Sequence, residues 1–195
     1  EYHDPMSKHV RIFCIAAPYP HKNLLIIPEV AKLLQNNDPH RVYRFVLTLP
    51  DDGPIVRQFW NIVDKYGVKD MIENAGILKL HECPRFYAES DILFLPTLLE
   101  TFSATYPEAM VMTKPIVTTD LDFAHDICGD AAAYYSPFSA QDAARTIEKV
   151  ASDTTYRESL IENGQKRLAF FPTPEEKYHQ MITWITEVAA LEKQG

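Results

Sequence analysis

The chain contains 195 residues, of which 46% are hydrophobic and 24% are charged. This composition is typical of a globular protein, and the length allows one sizeable α/β domain or at most two small ones. The formal net charge of −8 argues against binding to nucleic acid, because phosphate backbones attract clustered lysine and arginine. No apolar run approaches the roughly 18 residues that a membrane-spanning helix requires, and no signal peptide is recognisable.

The three cysteines, Cys14, Cys83 and Cys128, are far apart and have no C-x-x-C spacing. We interpret them as reduced thiols, which predicts a cytoplasmic protein. Residues 1–9 are a polar stretch that does not begin with methionine, and we interpret them as a lead-in or linker. We therefore expect a partner segment upstream of this stretch.

Apolar runs and amphipathic runs alternate along the chain. The first apolar run, at 10–18, predicts a strand, and Asn23 is predicted to cap the helix that follows it. The other strands are predicted at 41–50, 75–81, 91–96, 114–120 and 131–136. The other helices are predicted to start at Pro54 and Pro107, where proline suits the first helical position, and to cover 83–89, 139–152, 155–169 and 174–192.

This order of elements predicts an α/β fold. Strands that are continuously apolar and alternate with helices are typical of a parallel sheet covered on both faces. Right-handed crossovers make it a doubly wound, mostly parallel, six-stranded Rossmann-like sheet formed by residues 10–171, followed by a C-terminal helix at 172–195. In such sheets ligands bind beyond the carboxyl ends of the strands, so the binding residues are expected in the loops there.

One of these loops carries two glutamates, Glu100 and Glu108, in "ETFSATYPE". Glu108 follows Pro107 in the first helical turn, where a carboxylate is favoured, and its two acceptor oxygens match the donors of a vicinal diol such as a ribose. Glu100 is expected to lie over the same crevice. Three small residues between them could bring their backbone amides close to an anion: Ser103, Ala104 and Thr105. The alternative is a helix-start glutamate plus a solvated loop glutamate.

A cation is predicted at the same edge of the sheet. Lys22, in "APYPHKNLL", lies just before the first helix, where its ammonium group could meet a phosphate. A surface lysine alone would carry no such argument. Its position opposite a second turn that suits an anion makes phosphate binding the better interpretation.

Five segments in order resemble the C-terminal domain of retaining glycosyltransferases of the group 1 type, which have the two-domain GT-B fold. They are "PHKN" at 20–23, "GILKLHECPRFYAESDILFLPT" at 76–97, "ETFSATYPE" at 100–108, "KPIVTTDLDF" at 114–123 and "GDAAAYYSP" at 129–137. Together they run over most of residues 10–170. The resemblance implies that this chain binds the nucleotide-sugar donor and that helix 172–195 crosses toward a missing N-terminal domain.

The resemblance also implies the roles of individual residues. Lys22 and Glu100 would be the catalytic residues, Lys22 on the donor diphosphate and Glu100 on the hydroxyls of the transferred sugar. Glu108 would bind the ribose hydroxyls. The remaining donor-binding residues would be Ser103, Ala104 and Thr105 at the phosphate and the loop with Leu78 and Lys79 beside the base. The family needs no metal, because cations and amides stabilise the diphosphate leaving group, and that group is thought to deprotonate the acceptor.

By the same resemblance, the expected activity is retaining transfer of a hexosyl unit from a nucleotide-diphosphate sugar to a glycan or lipid-linked acceptor. The acceptor would bind mainly to the N-terminal domain, so this chain alone is expected to be inactive. The expected location is the cytoplasm, and the resemblance leaves open peripheral association of the full-length protein with the inner face of the membrane.

The chain departs from the family pattern at three positions. Family members often carry an arginine about five residues before the lysine, where this chain has Ala17, and turn glycines are replaced by Thr101 and Ser103. Arg85 or a residue from elsewhere is a candidate for the missing cation. These departures support an alternative function as a non-catalytic sugar-nucleotide-binding or scaffold domain, and a sugar-nucleotide epimerase of similar fold is a further alternative.

Two further patterns allow a structural and a functional interpretation. The D-x-D pattern at Asp120 and Asp122 could bind a metal, but helix N-capping is the preferred interpretation. The final helix carries one apolar stripe, for which core packing is the default and contact with the missing domain is the alternative. The stripe consists of Tyr178, Met181, Ile182, Ile185 and Ala189.

Overall fold

Six parallel strands form the sheet at the centre of the computed structural model, which describes residues 8–192. The strands are β1 (His9–Cys14), β2 (Val42–Leu47), β3 (Ile72–Asn74), β4 (Ile92–Leu95), β5 (Ile116–Thr119) and β6 (Ala132–Tyr135). Their order in the sheet is β3-β2-β1-β4-β5-β6, and every neighbouring pair is parallel. This is the doubly wound, Rossmann-like sheet that the sequence predicts.

Eight α-helices connect or follow these strands within the described part of the chain. They are α1 (Ile27–Asn37), α2 (Pro54–Tyr66), α3 (Cys83–Ala88), α4 (Thr105–Val111), α5 (Asp122–Cys128), α6 (Ala140–Ser152), α7 (Thr154–Leu168) and α8 (Pro174–Glu192). Buried residues of α1, α2 and α6 pack on one face of the sheet, and buried residues of α3, α4 and α5 pack on the other. No helix within residues 8–192 is both long enough and apolar enough to cross a bilayer.

Among the residues that the structure describes, the core consists of two apolar clusters, one on each face of the sheet. Successive residues of a strand point to opposite faces, so Ile12 belongs to the first cluster and its neighbour Phe13 to the second. All four residues of β4 are buried, because helices cover both of its sides. This two-sided burial explains why the strand sequences are continuously apolar.

The third strand lies earlier in the chain than the sequence predicts. The prediction placed it at 75–81, but the structure pairs Ile72–Asn74 with β2. At the end of β3, the Asn74 side chain bonds both the amide and the carbonyl group of Leu49, and Gly76 then turns the chain away with φ +75°. Because β3 is a short edge strand, the apolar residues that follow it are left in an exposed loop.

Two predicted helix starts also differ from the structure. Asn23 makes no capping hydrogen bond from its side chain, and it adopts a left-handed backbone conformation ahead of a 3-10 turn that leads into α1. Helix α4 begins at Thr105 rather than at Pro107. Proline is tolerated there because the first-turn amides have no partner within the helix.

Helix α8 does not pack on the core. Every described side chain at 175–189 is exposed, including Tyr178 at 62% and Trp184 at 66%. The core packing expected for its apolar stripe is therefore wrong, and contact with another domain stays a prediction. Of the predicted lead-in, residues 1–7 lie outside the described residues, and His9 already belongs to β1.

Candidate functional site

The loops after β1 and β4 meet at the carboxyl edge of the sheet. The amide of Leu98 donates a hydrogen bond of 2.7 Å to the carbonyl oxygen of His21. The hydroxyl of Thr97 lies 3.3 Å from the same carbonyl. Lys22 and the start of the turn that contains both glutamates are therefore held side by side.

Lys22 and Glu100 form an ion pair between these two loops. Their side chains are only 19% and 12% exposed, so water screens the pair less than it would a surface pair. The hydroxyl of Thr97 lies 3.1 Å from the same carboxylate oxygen, Oε1 of Glu100, and can donate to it. The structure thus brings together the two residues that were predicted to be catalytic.

Glu108 lies at the other end of the turn and has a different partner. The Tyr87 hydroxyl donates a hydrogen bond of 2.9 Å to Oε2 of Glu108. Burial raises the pKa of Tyr87 well above its usual value, and the charge of Glu108 raises it further. The phenol therefore stays protonated and remains a donor. Tyr87 is not among the residues that the sequence singles out. A buried tyrosine hydroxyl needs a partner, but the sequence does not identify that partner.

Tyr87 and Glu108 line a cleft of about 470 Å³ between α3 and α4. Its walls are mostly apolar, and the remaining lining residues are Leu80, Cys83, Pro84, Ala104, Pro107, Val111 and Met112. This size and lining suit a small organic ligand with a few polar contacts.

A second cleft, of about 270 Å³, adjoins the first, since Cys83 lines both. It lies at the ends of β1 and β2 and is lined by Ile15–Pro18, Thr48, Pro50, Ile77 and Leu78. Leu78 therefore faces the second cleft and Leu80 the first. Lys79, between them, uses its backbone amide to bond the side chain of Glu82. The loop predicted to flank a base thus runs along the junction of the two clefts.

The small residues of the turn lie between the two glutamates, as predicted. Ser103 is buried, and its carbonyl oxygen accepts a hydrogen bond from the amide of Tyr106. Within residues 8–192, the amides of Ser103, Ala104 and Thr105 donate to no protein acceptor. They are donors that an anion could use.

Arg85, the candidate replacement for the missing arginine, does not reach the two clefts. Arg85 bonds Glu89 at 3.0 Å and lies over the ring of Phe86, and it lines neither cleft. Ala17 itself lines the second cleft. Lys22 is therefore the cation that the described structure places at this turn.

The D-x-D pattern does not cap a helix through its side chains. Leu121 occupies the N-cap position of α5, without a side-chain bond. Asp120 instead pairs with His125, with 2.6 Å between Oδ1 and Nε2. Among the residues that the structure describes, no group of three or more His, Cys, Asp or Glu side chains could hold a metal ion.

Comparison with known proteins identifies the family of this chain. The sequence profile of the family described as "Glycosyl transferases group 1" matches residues 4–167. The chain is 23% identical over 129 residues to the alpha-D-kanosaminyltransferase of Streptomyces kanamyceticus, covering 65% of this chain and 32% of that protein. It is 29% identical over 101 residues to the capsular polysaccharide biosynthesis glycosyltransferase CapM of Staphylococcus aureus, covering 51% and 25%.

Solved structures share the fold. A sucrose-phosphate synthase from Thermosynechococcus elongatus has a TM-score of 0.79 at 19% identity, over 96% of this chain and 47% of that one. The C-terminal domain of the group 1 glycosyltransferase LpcC from Francisella tularensis has a TM-score of 0.68 at 21% identity, over 84% of this chain and 85% of that one. The chain thus spans a quarter to a third of the curated relatives and about half of the synthase. It belongs to the group 1 glycosyltransferase family, and its fold is that of the C-terminal half of such proteins.

Proposed function

We propose that this chain is the donor-binding half of a retaining glycosyltransferase, which transfers a hexosyl unit from a nucleotide-diphosphate sugar to a glycan or lipid-linked acceptor. One observation carries the proposal. A single turn at the carboxyl edge of the sheet presents a carboxylate in a cleft at one end and a lysine–carboxylate pair at the other. A nucleotide sugar has matching groups in the same order, namely a ribose diol, a diphosphate and a sugar.

The nucleoside would lie across the junction of the two clefts. Its ribose would occupy the first cleft, and its base would lie beside Lys79 and beside Leu78, which lines the second cleft. The Glu108 carboxylate would accept hydrogen bonds from the ribose hydroxyls, because its two oxygens match two vicinal donors. A carboxylate in a partly dry cleft favours a neutral donor of this kind over an anion.

The diphosphate and the sugar would lie toward the other end of the turn. The Lys22 ammonium and the amides of Ser103, Ala104 and Thr105 would stabilise the charge that develops on the diphosphate as the sugar leaves. Glu100 would then accept bonds from the sugar hydroxyls. These groups would supply the stabilisation without a metal, and the leaving phosphate would take the proton of the acceptor.

The acceptor would bind to an N-terminal half, and transfer would need both halves. Closing two domains around the reactants positions them and excludes water, and positioning can supply roughly 7–11 kcal/mol of the reduction in barrier. The present chain alone is therefore expected to bind donor weakly and to transfer no sugar.

A titration and an assay together test the proposal. Uridine, guanosine and adenosine diphosphates are each titrated into the chain by calorimetry with a chelator present, and one of them should bind. The matched nucleotide sugar and acceptor are then supplied to this chain and to a protein that contains both halves. Failure of all three nucleotides to bind would contradict donor binding, and comparable transfer by the single chain would contradict the two-half mechanism.

The departure at Ala17 favours a second candidate, a domain that binds a sugar nucleotide without transferring it. One cation at the turn, already paired with Glu100, provides less charge for a leaving diphosphate than two cations would. The same experiments separate the candidates, since this one predicts binding without transfer by the two-half protein. The epimerase alternative has less support. An epimerase would need carboxylate and histidine side chains as acid–base groups in the cleft, and no histidine lines either of the two clefts.

A further inference from the structure

The Tyr87 hydroxyl lies where it can fix the orientation of the Glu108 carboxylate. It bonds Oε2 at 2.9 Å, which leaves Oε1 and the second lone pair of Oε2 for donors of a ligand. The terminal side-chain torsion angle of glutamate, χ3, has a broad distribution. A carboxylate without such a partner therefore rotates easily about its last bond. A donor on one oxygen fixes the plane in which the other oxygen accepts.

The tyrosine ring is itself fixed by the core. Tyr87 is 2% exposed, and its ring packs edge-on against Phe13 of β1, with 5.1 Å between the ring centroids. Phe13 is a fully buried residue of the central strand. The hydroxyl is thus attached through one ring to the sheet, and its position does not depend on a mobile loop.

The protonation state supports the same role. Burial and the charge of Glu108 both raise the pKa of the phenol, so it is protonated and remains a donor near neutral pH. A neutral donor fixes the carboxylate without cancelling its charge. By contrast, a lysine at this position would form an ion pair and compete with hydroxyl groups of a ligand.

We infer that Tyr87 is a positioning residue that presets the Glu108 carboxylate for a vicinal diol, and that it thereby gives the site its preference for ribonucleotides over 2′-deoxyribonucleotides. The inference rests on the proposed function, since it requires a nucleoside in the cleft. A carboxylate that is already oriented binds most tightly to a ligand that donates to both of its oxygens at once. The reason is that the side chain loses little conformational entropy when such a ligand binds. A deoxyribose has one hydroxyl at this position and gains less.

The test compares Tyr87→Phe with the unaltered chain, using a ribonucleoside diphosphate that binds and its 2′-deoxy analogue. The unaltered chain should prefer the ribonucleotide by roughly tenfold, which corresponds to one hydrogen bond to a charged group. In Tyr87→Phe the affinity for the ribonucleotide should fall by about three- to tenfold, while that for the deoxy analogue changes little. The preference should therefore shrink to about threefold or less.

Tyr106→Phe is the matched control. Tyr106 is a buried tyrosine on the same helix as Glu108, and its hydroxyl bonds Thr118 at 2.8 Å instead of the cleft carboxylate. This variant should lose comparable stability and keep the full preference. Loss of preference in both variants would assign the effect to general loosening of the core and overturn the inference.

A second measurement on the unaltered chain applies even if Tyr87→Phe does not fold. With the tyrosine ring carbons labelled, the signal of Tyr87 should shift more on binding the ribonucleotide than on binding its deoxy analogue, since only the diol engages both carboxylate oxygens. Equal shifts, or an unchanged preference in a folded Tyr87→Phe, would overturn the inference and leave the proposed function intact. Absence of binding by every nucleotide would overturn both.

Discussion

Glu100 and Glu108 belong to the same turn, yet the structure gives them opposite kinds of partner. Glu100 is paired with the ammonium of Lys22, so the two charges largely cancel. Glu108 is bonded to the neutral phenol of Tyr87 and keeps its negative charge. One end of the turn is thus an ion pair, and the other is a charged acceptor in an apolar cleft.

The comparison shows how one turn can bind a ligand with different groups along its length. At the Glu108 end a ligand adds donors to an acceptor that is already oriented. At the Glu100 end a ligand must weaken the Lys22–Glu100 ion pair. The loss in free energy is small only if the ligand offers an anion to Lys22 and hydroxyls to Glu100. A diphosphate joined to a sugar offers both groups.

The largest expected effect separates the two glutamates by affinity. Glu108→Gln should weaken binding of a nucleoside diphosphate by about ten- to a hundredfold, because hydrogen bonds to a charged group are worth roughly 1.5–3 kcal/mol. Glu100→Gln should not weaken the same affinity, since the sugar that Glu100 would contact is absent from this ligand and the diphosphate no longer shares Lys22 with a carboxylate. Calorimetry with a chelator measures both. Equal losses in the two variants would contradict the division of roles.

A somewhat smaller effect concerns stability at the ion-paired end. Lys22→Ala should lower the free energy of unfolding by roughly 1–3 kcal/mol, because it leaves a mostly buried Glu100 without its cation. Urea denaturation measures the change. Lys166→Ala is the control, since Lys166 and Glu162 form a pair whose side chains are each about two-thirds exposed, and its loss should cost less than about 0.5 kcal/mol. Similar losses in both variants would mean that the Lys22–Glu100 pair behaves as a surface pair.

The smallest expected effect is on the reactivity of the Cys83 thiol, which senses the charge at the Glu108 end of the turn. Burial raises the pKa of Cys83, and the charge of Glu108 raises it further. Glu108→Gln removes the second cause, so the pKa should fall and more of the reactive thiolate should form at pH 8. Alkylation of Cys83 should then be faster by about twofold. Glu100→Gln should leave the rate unchanged, and an equal acceleration in both variants would show that Cys83 does not sense Glu108 selectively.

Much of the fold could be predicted because burial on both faces leaves a clear sequence pattern. Strand β4 is an example, since all four of its residues are apolar and buried. Strand β3 could not be located in the same way. It is an edge strand of three residues in which the Asn74 side chain bonds the backbone of Leu49, whereas the nearby apolar residues Ile77 and Leu80 are 76% and 83% exposed.

The candidate site shows the same division. Lys22, Glu100 and Glu108 could be proposed from sequence because each follows a predicted strand on the edge where loops of a parallel sheet converge. Tyr87 could not, because its role depends on a contact with a residue 21 positions away on another helix. Arg85 was a reasonable candidate by residue type, but only the structure shows that it pairs with Glu89 outside both clefts.

The exposed stripe of α8 has a consequence for how this chain behaves in solution. The described contacts that stabilise α8 lie within the helix and at its start, where the side chains of Thr173 and Glu176 accept hydrogen bonds from each other's backbone amides. The side chains at 175–189 are exposed to solvent. Isolated helices of this length are marginal in water, so α8 should unwind and rewind far more often than the sheet. Its amide hydrogens should exchange with solvent first, and any surface that covers the stripe would slow them. The helix is thus a built-in reporter of docking.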